Sequence, residues 1–190
     1  MDDLMFTDVT IYNLEMLNGN ELRPSRRETP GLEIRQAQIP LPELNRFLYT
    51  AVGGDWFWHT RLSWDYAAWM EPLMRPGYET WVAYLYGTPA GYFELDPQEN
   101  DSIEIAYFGL LPQFLGKGIG GRLLTVAIQR AWQKAARRVW VHTCSLDHPS
   151  ALANYEARGM RIFEVETIPV MLPDETPGAW PGANRPQPRR

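Results

Sequence analysis

The chain reads as one mixed α/β domain, and three features carry that reading. Strand-like runs and helical segments follow one another without a regular alternation: strands, two helices, an antiparallel meander, then β–α–β–α–β. The segment GGRLLTVAIQRAWQKAARR (120–138) sets Leu123, Leu124, Ala127, Ile128, Ala131 and Trp132 at helical spacing, which makes it an amphipathic crossover helix between two strands. A length of 190 residues with 45% hydrophobic side chains suffices for one sizeable core and falls short of two.

Taken in order, MFTDVTIYNLEML (5–17) is a first strand, and the NGN after it is a turn signal suited to a hairpin. ELRPSRRETPG is a loop, so residues 1–31 form an N-terminal strand and loop extension, and LEIRQAQ (32–38) is the second strand. PLPELNRFLYTAVGG predicts a helix, with Pro42 in the first turn and Gly53 and Gly54 as the stop. SWDYAAWMEPLM (63–74) predicts another, with Ser63 as N-cap. YETWVAYLYGTPAGYFELD (78–96) is an antiparallel hairpin turning at GTP, PQEND is a turn, and SIEIAYFGLL (102–111) is the next strand. After the crossover helix come a strand VWVHTCS (139–145), a helix SALANYEARG (150–159) closed by glycine, and MRIFEVETIPVML (160–172) as a strand pair or one long strand. The domain thus spans 1–172. From 173 to 190 the Pro/Gly-rich PDETPGAWPGANRPQPRR is expected to be a flexible tail that does not pack.

A net charge of −5 argues against a surface devoted to nucleic acid or anionic membrane, since neutralising phosphates takes a basic face. The basic RPQPRR at the end reads as solvated tail. Cys144 is the sole cysteine, which rules out an intramolecular disulfide, argues against a thiolate zinc site and fits a reducing cytoplasm. The acidic start MDDLMFTD lacks the basic and apolar regions of a secretion signal, and no apolar run approaches membrane-spanning length. The expectation is a cytoplasmic protein with no metal, nucleic-acid or membrane partner.

The most informative stretch is FGLLPQFLGKGIGGRLL (108–124), where Gly116, Gly118, Gly120 and Gly121 crowd a strand-to-helix junction. Glycine costs conformational entropy, so such a cluster marks a special backbone shape or a close approach by a ligand. The usual ligand there is a phosphate, held by unpaired N–H groups of the first helical turn. Gly116, Gly118 and Gly121 satisfy the dinucleotide pattern G-x-G-x-x-G, yet PQFL separates them from the strand and the loop sits past the middle of the chain. A P-loop fits worse, because no Ser or Thr follows Lys117. A glycine-rich turn with packing duties only is the remaining alternative.

LLPQFLGKGIGGRLL also resembles the acyl-CoA loop of the GNAT superfamily of N-acetyltransferases, Q/R-x-x-G-x-G/A after a strand. The match runs Leu115, Gly116, Lys117, Gly118, Ile119, Gly120, with Leu115 where the family usually has Gln or Arg. CSLDHPSALANYEARGM is similar to a later family segment: Ala151, Tyr155 and Gly159 fit its spacing, His148 stands where Asn is usual, and Met160 where Phe is usual. The resemblance implies a GNAT-like mixed, mostly antiparallel twisted sheet with helices on both faces and a central splayed strand pair. It also implies acetyl-CoA as co-substrate. The cradle would be the backbone from Gly116 to Gly121 with Lys117 and His148 nearby, while the strand edge at Leu110 and Leu111 pairs with the pantetheine and an N–H around Leu110 polarises the acetyl carbonyl. Glu104 is the leading general base, with Glu94, His142 and His59 in reserve, and Tyr155 is the general acid toward the thiolate. Read without the resemblance, Glu104 serves equally as a structural carboxylate, His142 alternates with Trp140 and Cys144 as a satisfied core histidine, and Cys144 is simply buried.

GGDWFWHTRLSWDYAAW concentrates Trp56, Phe57, Trp58, Trp64, Tyr66 and Trp69 in a chain with 8 Trp. In the family the first two helices and their connection roof the acceptor pocket, which points to Trp58, His59, Trp64 and Glu94 as contacts for a small, partly apolar amine. At least half of these rings are expected simply to pack the two helices on the sheet. An acetyltransferase acting on a primary amine of a small molecule is therefore the favoured reading, with a protein amine subsidiary. A CoA-binding or interaction module without turnover and a nicotinamide-binding oxidoreductase stay open. Homodimers are common in the family, which makes a second copy of the chain a possible partner.

Overall fold

The computed structural model describes residues 6–183 apart from residue 135. The elements are β1 (Phe6–Met16), β2 (Leu32–Ala37), α1 (Pro42–Gly53), α2 (Tyr66–Leu73), β3 (Glu79–Leu85), β4 (Thr88–Gln98), β5 (Ser102–Leu110), α3 (Ile119–Gln133), β6 (Arg138–Cys144), α4 (Ala151–Ala157) and β7 (Arg161–Met171). The strands form one sheet in the order β2-β3-β4-β5-β6-β1-β7. Every pairing is antiparallel except that of β5 with β6.

Alternation along the strands sends successive side chains to opposite faces, and each face is covered by its own helices. Val82 and Tyr92 pack with Leu48 and Val52 of α1. Their neighbours Ala83 and Phe93 pack on the other side with Leu123, Leu124, Ala127 and Ile128 of α3, in a core that also takes Tyr155 of α4. Gly109 lets α1 lie close: a Cβ there would come 2.4 Å from Val52 Cγ1.

Local chemistry shifts several predicted boundaries. The β3–β4 hairpin turns at Tyr86 and Gly87, with φ of 50° and 78°, rather than at GTP. A two-residue turn with both central residues left-handed matches the twist of the strands, and neither Thr nor Pro suits it. α2 is capped by Asp65, whose Oδ1 accepts from Ala68 N at 2.9 Å, and not by Ser63. α1 does end at the predicted Gly53 and Gly54, but neither is left-handed; Phe57 (φ 59°) takes that conformation. The two glycines provide room instead. A Cβ on Gly53 would lie 2.2 Å from the Trp58 ring, and one on Gly54 would lie 2.4 Å from the Gly178 carbonyl carbon.

That second contact corrects the expectation for the tail. Gly178 N donates to Gly54 O at 3.0 Å, so this part of the Pro/Gly-rich segment packs on the corner after α1. Residues 184–190, with the basic RPQPRR, lie outside the described residues. The hairpin expected after the first strand does not form either. β1 runs between β6 and β7, where Leu14 and Met16 are completely buried beside Val139 and Val141, a burial that an edge position next to β2 would not give. The NGN segment is a single 3-10 turn (Gly19–Glu21) with Asn18 Oδ1 accepting from Asn20 N at 3.0 Å. The last strand, β7, is one long element along β1. No helix among the described residues is long and apolar enough to cross a membrane.

Glu79 on β3 ties the sheet to α3 through Arg130 and Lys134, both with contacts of 2.8 Å. Burial pushes its carboxyl up, but hydrogen bonds from Arg130, Lys134 and Trp81 outweigh it and hold the pKa at about 2. A depressed carboxyl pKa stabilises the fold above the unfolded value near 4.5, and that stability is lost as pH falls toward 2. Chemical denaturation as a function of pH is therefore expected to show an acid-side loss of up to roughly 3 kcal/mol that Glu79→Gln removes. An unchanged acid limb in the variant would exclude Glu79 as its source.

Candidate active site

β5 and β6 pair only at Ser102 with Arg138, Ile103 with Val139 and Glu104 with Trp140. Beyond that point β5 stays with β4 as far as Leu110, β6 stays with β1 as far as Cys144, and the two halves of the sheet diverge. A register irregularity between Glu94 and Leu95 opposite β5 supplies local bending at the same level. The gap opens into a cavity of about 630 Å³ walled by residues 105–110 of β5 and by Val141, His142 and Cys144 of β6.

One end of the cavity is the glycine loop. Gly116 and Gly118 have φ of 73° and 80°, and Gly118 precedes α3 as a left-handed N-cap without a side-chain bond, which leaves the first N–H groups of the helix without a capping side chain. Leu115, Gly116, Gly118, Gly120 and Gly121 line the cavity, as does Leu110. Leu111 N donates to Ala90 O, so the alternation of an antiparallel strand turns the N–H of Leu110 the other way, toward the gap. Three residues expected here turn their side chains elsewhere. Leu111 packs against the core, Ile119 is fully buried in it, and Lys117 holds its Nζ 5.2 Å from the centre of the Phe114 ring instead of lining the cavity.

These features match a known family. Residues 40–160 correspond to the acetyltransferase (GNAT) family. The chain belongs to that family. A mycothiol acetyltransferase of Corynebacterium aurimucosum is 25% identical over 178 residues, covering 80% of this chain and 57% of the relative. Among solved structures, a GCN5-related N-acetyltransferase from Sphaerobacter thermophilus superposes with a TM-score of 0.64 at 15% identity over 88% of this chain and 54% of that one. One from Kribbella flavida gives 0.62 at 14% identity over 84% and 57%. The chain thus spans little more than half the length of these relatives, and the structural likenesses bear on the fold alone.

Within the GNAT frame the other predicted residues divide clearly. Tyr155 lines the cavity at 4% exposure with its ring edge-on to Phe108 at 5.9 Å. Burial, and after it the nearby Asp147 carboxylate, push its hydroxyl well above the usual value, so it carries its proton at neutral pH. His148 lines the cavity too, edge-on to Trp56 at 5.2 Å, its Nδ1 accepting from Ser150 N. Glu104 is 9% exposed and does not line the cavity; its carboxylate accepts from Gln98 Nε2 at 2.7 Å and pairs with His142 Nδ1 at 3.1 Å. His142 is not the core histidine expected from alternation. The buried face of β6 is Val139, Val141 and Thr143, and His142 faces the cavity because β5 has already diverged from it.

The opposite end is aromatic. Tyr49, Trp58 and Tyr107 meet with ring centres 5.3–5.5 Å apart and line the cavity, joined by His59, whose Nδ1 lies 2.7 Å from Phe57 O. Trp64 and Glu94 do not reach the cavity. Trp64 packs edge-on to Trp69 under the Arg61 guanidinium. Glu94 is fully buried and accepts from Asn45 Nδ2 (2.7 Å), Arg61 Nη1 (2.9 Å) and the Tyr78 hydroxyl. An ion pair so enclosed holds structure together and offers no free oxygen to an amine.

Asp147 passes unnoticed in the sequence because it sits in a loop without periodicity. Its carboxylate accepts from Trp58 Nε1 (3.2 Å), Thr143 Oγ1 (2.7 Å) and Cys144 N (3.0 Å), which fastens the aromatic end to β6. Asp147→Ala strips three donors of their acceptor and is expected to cost roughly 1–2 kcal/mol in urea unfolding, with a change in tryptophan emission in the folded state. Wild-type stability and emission in the variant would show that the Trp58 anchor is idle.

Proposed function

We propose that the protein is an acetyl-CoA-dependent N-acetyltransferase that passes the acetyl group directly to a primary amine of a small molecule. The observation that carries this reading is the continuity of one cavity from the uncapped start of α3, along the unpaired edge of β5, to a histidine and an aromatic pocket. The residues suit acetyl-CoA: left-handed glycines at a helix start for the phosphates, a strand edge for the amide-bearing arm, and a cavity of the size such ligands fill. Acetyl-CoA, once bound, supplies the acetyl group as a thioester.

The chain's own groups then divide the work. Leu110 N–H, turned toward the gap, donates to the acetyl oxygen as negative charge gathers there. His142 is the proton acceptor. A carboxylate at Nδ1 makes that nitrogen the donor, so Nε2 keeps its lone pair and takes the proton of the amine as its nitrogen bonds to the acetyl carbon. Glu104, the residue singled out in the sequence, is a positioning residue behind His142 rather than the base itself. Tyr155 gives its hydroxyl proton to the sulfur as the carbon–sulfur bond breaks. The aromatic end, with Trp58, Tyr107 and His59, suits a compact amine better than an extended chain. The mycothiol acetyltransferase relative supports the reaction class.

Calorimetric titration with acetyl-CoA, CoA and NAD is expected to show binding of the first two only, followed by transfer to small amines; a folded protein that binds neither thioester nor thiol would refute the reading. Tyr155→Phe is expected to lower kcat by about 100-fold with CoA affinity kept, and unchanged turnover would remove its acid role. The hydrogen bond that His142 donates to Glu104 raises the imidazole pKa above the usual 6.5, so kcat/KM is expected to climb with pH through a limb above that value. Glu104→Gln withdraws the charge that favours imidazolium, which moves the limb to lower pH. A limb that stays in place would take the dyad out of the mechanism.

A further inference from the structure

We propose that Arg27, on the N-terminal loop, grips the diphosphate of the bound acyl carrier and supplies the side-chain contact that Leu115 does not. This rests on the acetyl-CoA reading and adds to it a residue outside the part of the chain that matches the family, which begins at residue 40. After β1 the chain crosses the start of α3 on its way to β2. Arg23 N donates to Arg158 O at 3.0 Å, and Ser25 N donates to Thr125 Oγ1 at 2.9 Å, which itself donates to Gly121 O at 2.8 Å. Two residues later the Arg27 side chain rests on the bare backbone of Gly118. A Cβ at Gly118 would come within 2.3 Å of Arg27 Cδ, 2.4 Å of Nε and 2.6 Å of Cζ. The absent side chain at 118 is therefore the space that the arginine occupies.

Arg27 also lines the cavity. Among the described residues no carboxylate pairs with it, and it is the one arginine or lysine among them that lines the cavity. Arg130 and Lys134 are engaged with Glu79, and Arg158, whose Nη1 lies 2.5 Å from the Cβ that Gly121 lacks, donates to Asn154 Oδ1 and does not line the cavity. A guanidinium without a counter-ion, beside uncapped N–H groups at a helix start and at the mouth of a cavity, has the charge, donor number and planar fork that a diphosphate requires. Leu115, at the motif position usually held by Gln or Arg, lines the same end and offers no donor. Lys117 is turned onto Phe114. Arg27 is thus the cation that the structure brings from elsewhere in the chain to the cavity side of the loop.

The test compares wild type, Arg27→Ala and Arg27→Lys against three ligands: CoA, dephospho-CoA, which keeps the diphosphate, and acetyl-pantetheine, which has no phosphate. Arg27→Ala is expected to raise the Kd of CoA and of dephospho-CoA by about tenfold each and to leave kcat/KM with acetyl-pantetheine and the melting temperature unchanged, with Arg27→Lys intermediate. A CoA Kd within about twofold of wild type would overturn the proposal, as would a loss confined to CoA, which assigns the arginine to the 3′-phosphate, or an equal loss with acetyl-pantetheine, which makes the loop structural only. Wild type that binds no CoA at all sinks the acetyl-CoA reading first, an outcome distinct from each of these.

Discussion

The end of pairing between β5 and β6 after Glu104 and Trp140 is the constraint on which the rest of the site depends. A parallel pair is slightly weaker per residue than an antiparallel one, and each of these strands has a stronger antiparallel neighbour on its other side. β5 follows β4 and β6 follows β1. The halves part without falling open because one core runs under both: Phe93, Leu95 and Ile105 from one side and Leu14, Val139 and Val141 from the other share Leu123, Leu124 and Ile128 of α3. The opening is confined to the cavity side, where the backbone groups of β5 and β6 are left for a ligand to satisfy.

The same divergence makes a hydrogen-bonded pair of cross-strand neighbours, proposed above as the proton-handling unit, face two environments. Glu104 sits at the last paired position and His142 just beyond it, so one remains inside the sheet and the other meets the cavity. A carboxylate at 9% exposure needs donors, and Gln98 and His142 provide them. Below the aromatic end a second buried carboxylate, Glu94, has a different role. Its three donors come from α1, from the strand entry at Tyr78 and from the loop at Arg61, and the guanidinium so held lies 3.9 Å over the Tyr107 ring. A charge committed to that network fixes the floor under the aromatic pocket and leaves the rings and His59 as the groups that line it.

Features that depend on nearby residues were legible in the sequence. The glycine loop, the amphipathic α3 and the Tyr155 spacing are each decided within a turn or two of chain, by left-handed backbone or helical period, and each stands where expected. Features decided across the chain were not. Whether the even-numbered face of β6 is core or cavity depends on where β5 goes, so His142 looked like packing and Glu104 like the group in contact with substrate. Trp64 and Glu94 carry the composition of a binding pocket, yet packing against Trp69 and Arg61 for the first and full burial for the second assign them to its support. Ser63 and Asp65 are both competent caps, and the choice between them rests on where the loop after Trp58 delivers the chain. Arg27 lies in a loop with no period at all, and only the three-dimensional crossing shows what it meets.

The N-terminal segment couples these levels. β1 is the antiparallel partner that holds β6 along its length, and Leu14 and Met16 are as deeply buried as any residue of α3. Directly after β1 the chain passes Gly159 (φ 99°), at the end of α4, so closely that a Cβ there would lie 2.2 Å from Glu21 O. The loop leaving this contact passes over the start of α3 on its way to β2 at the far edge of the sheet. A strand inserted between β6 and β7 therefore sets the path of the loop, and the path brings an arginine over Gly118. Completion of the sheet and the placement of an arginine at the glycine-loop end of the cavity are two results of one chain crossing.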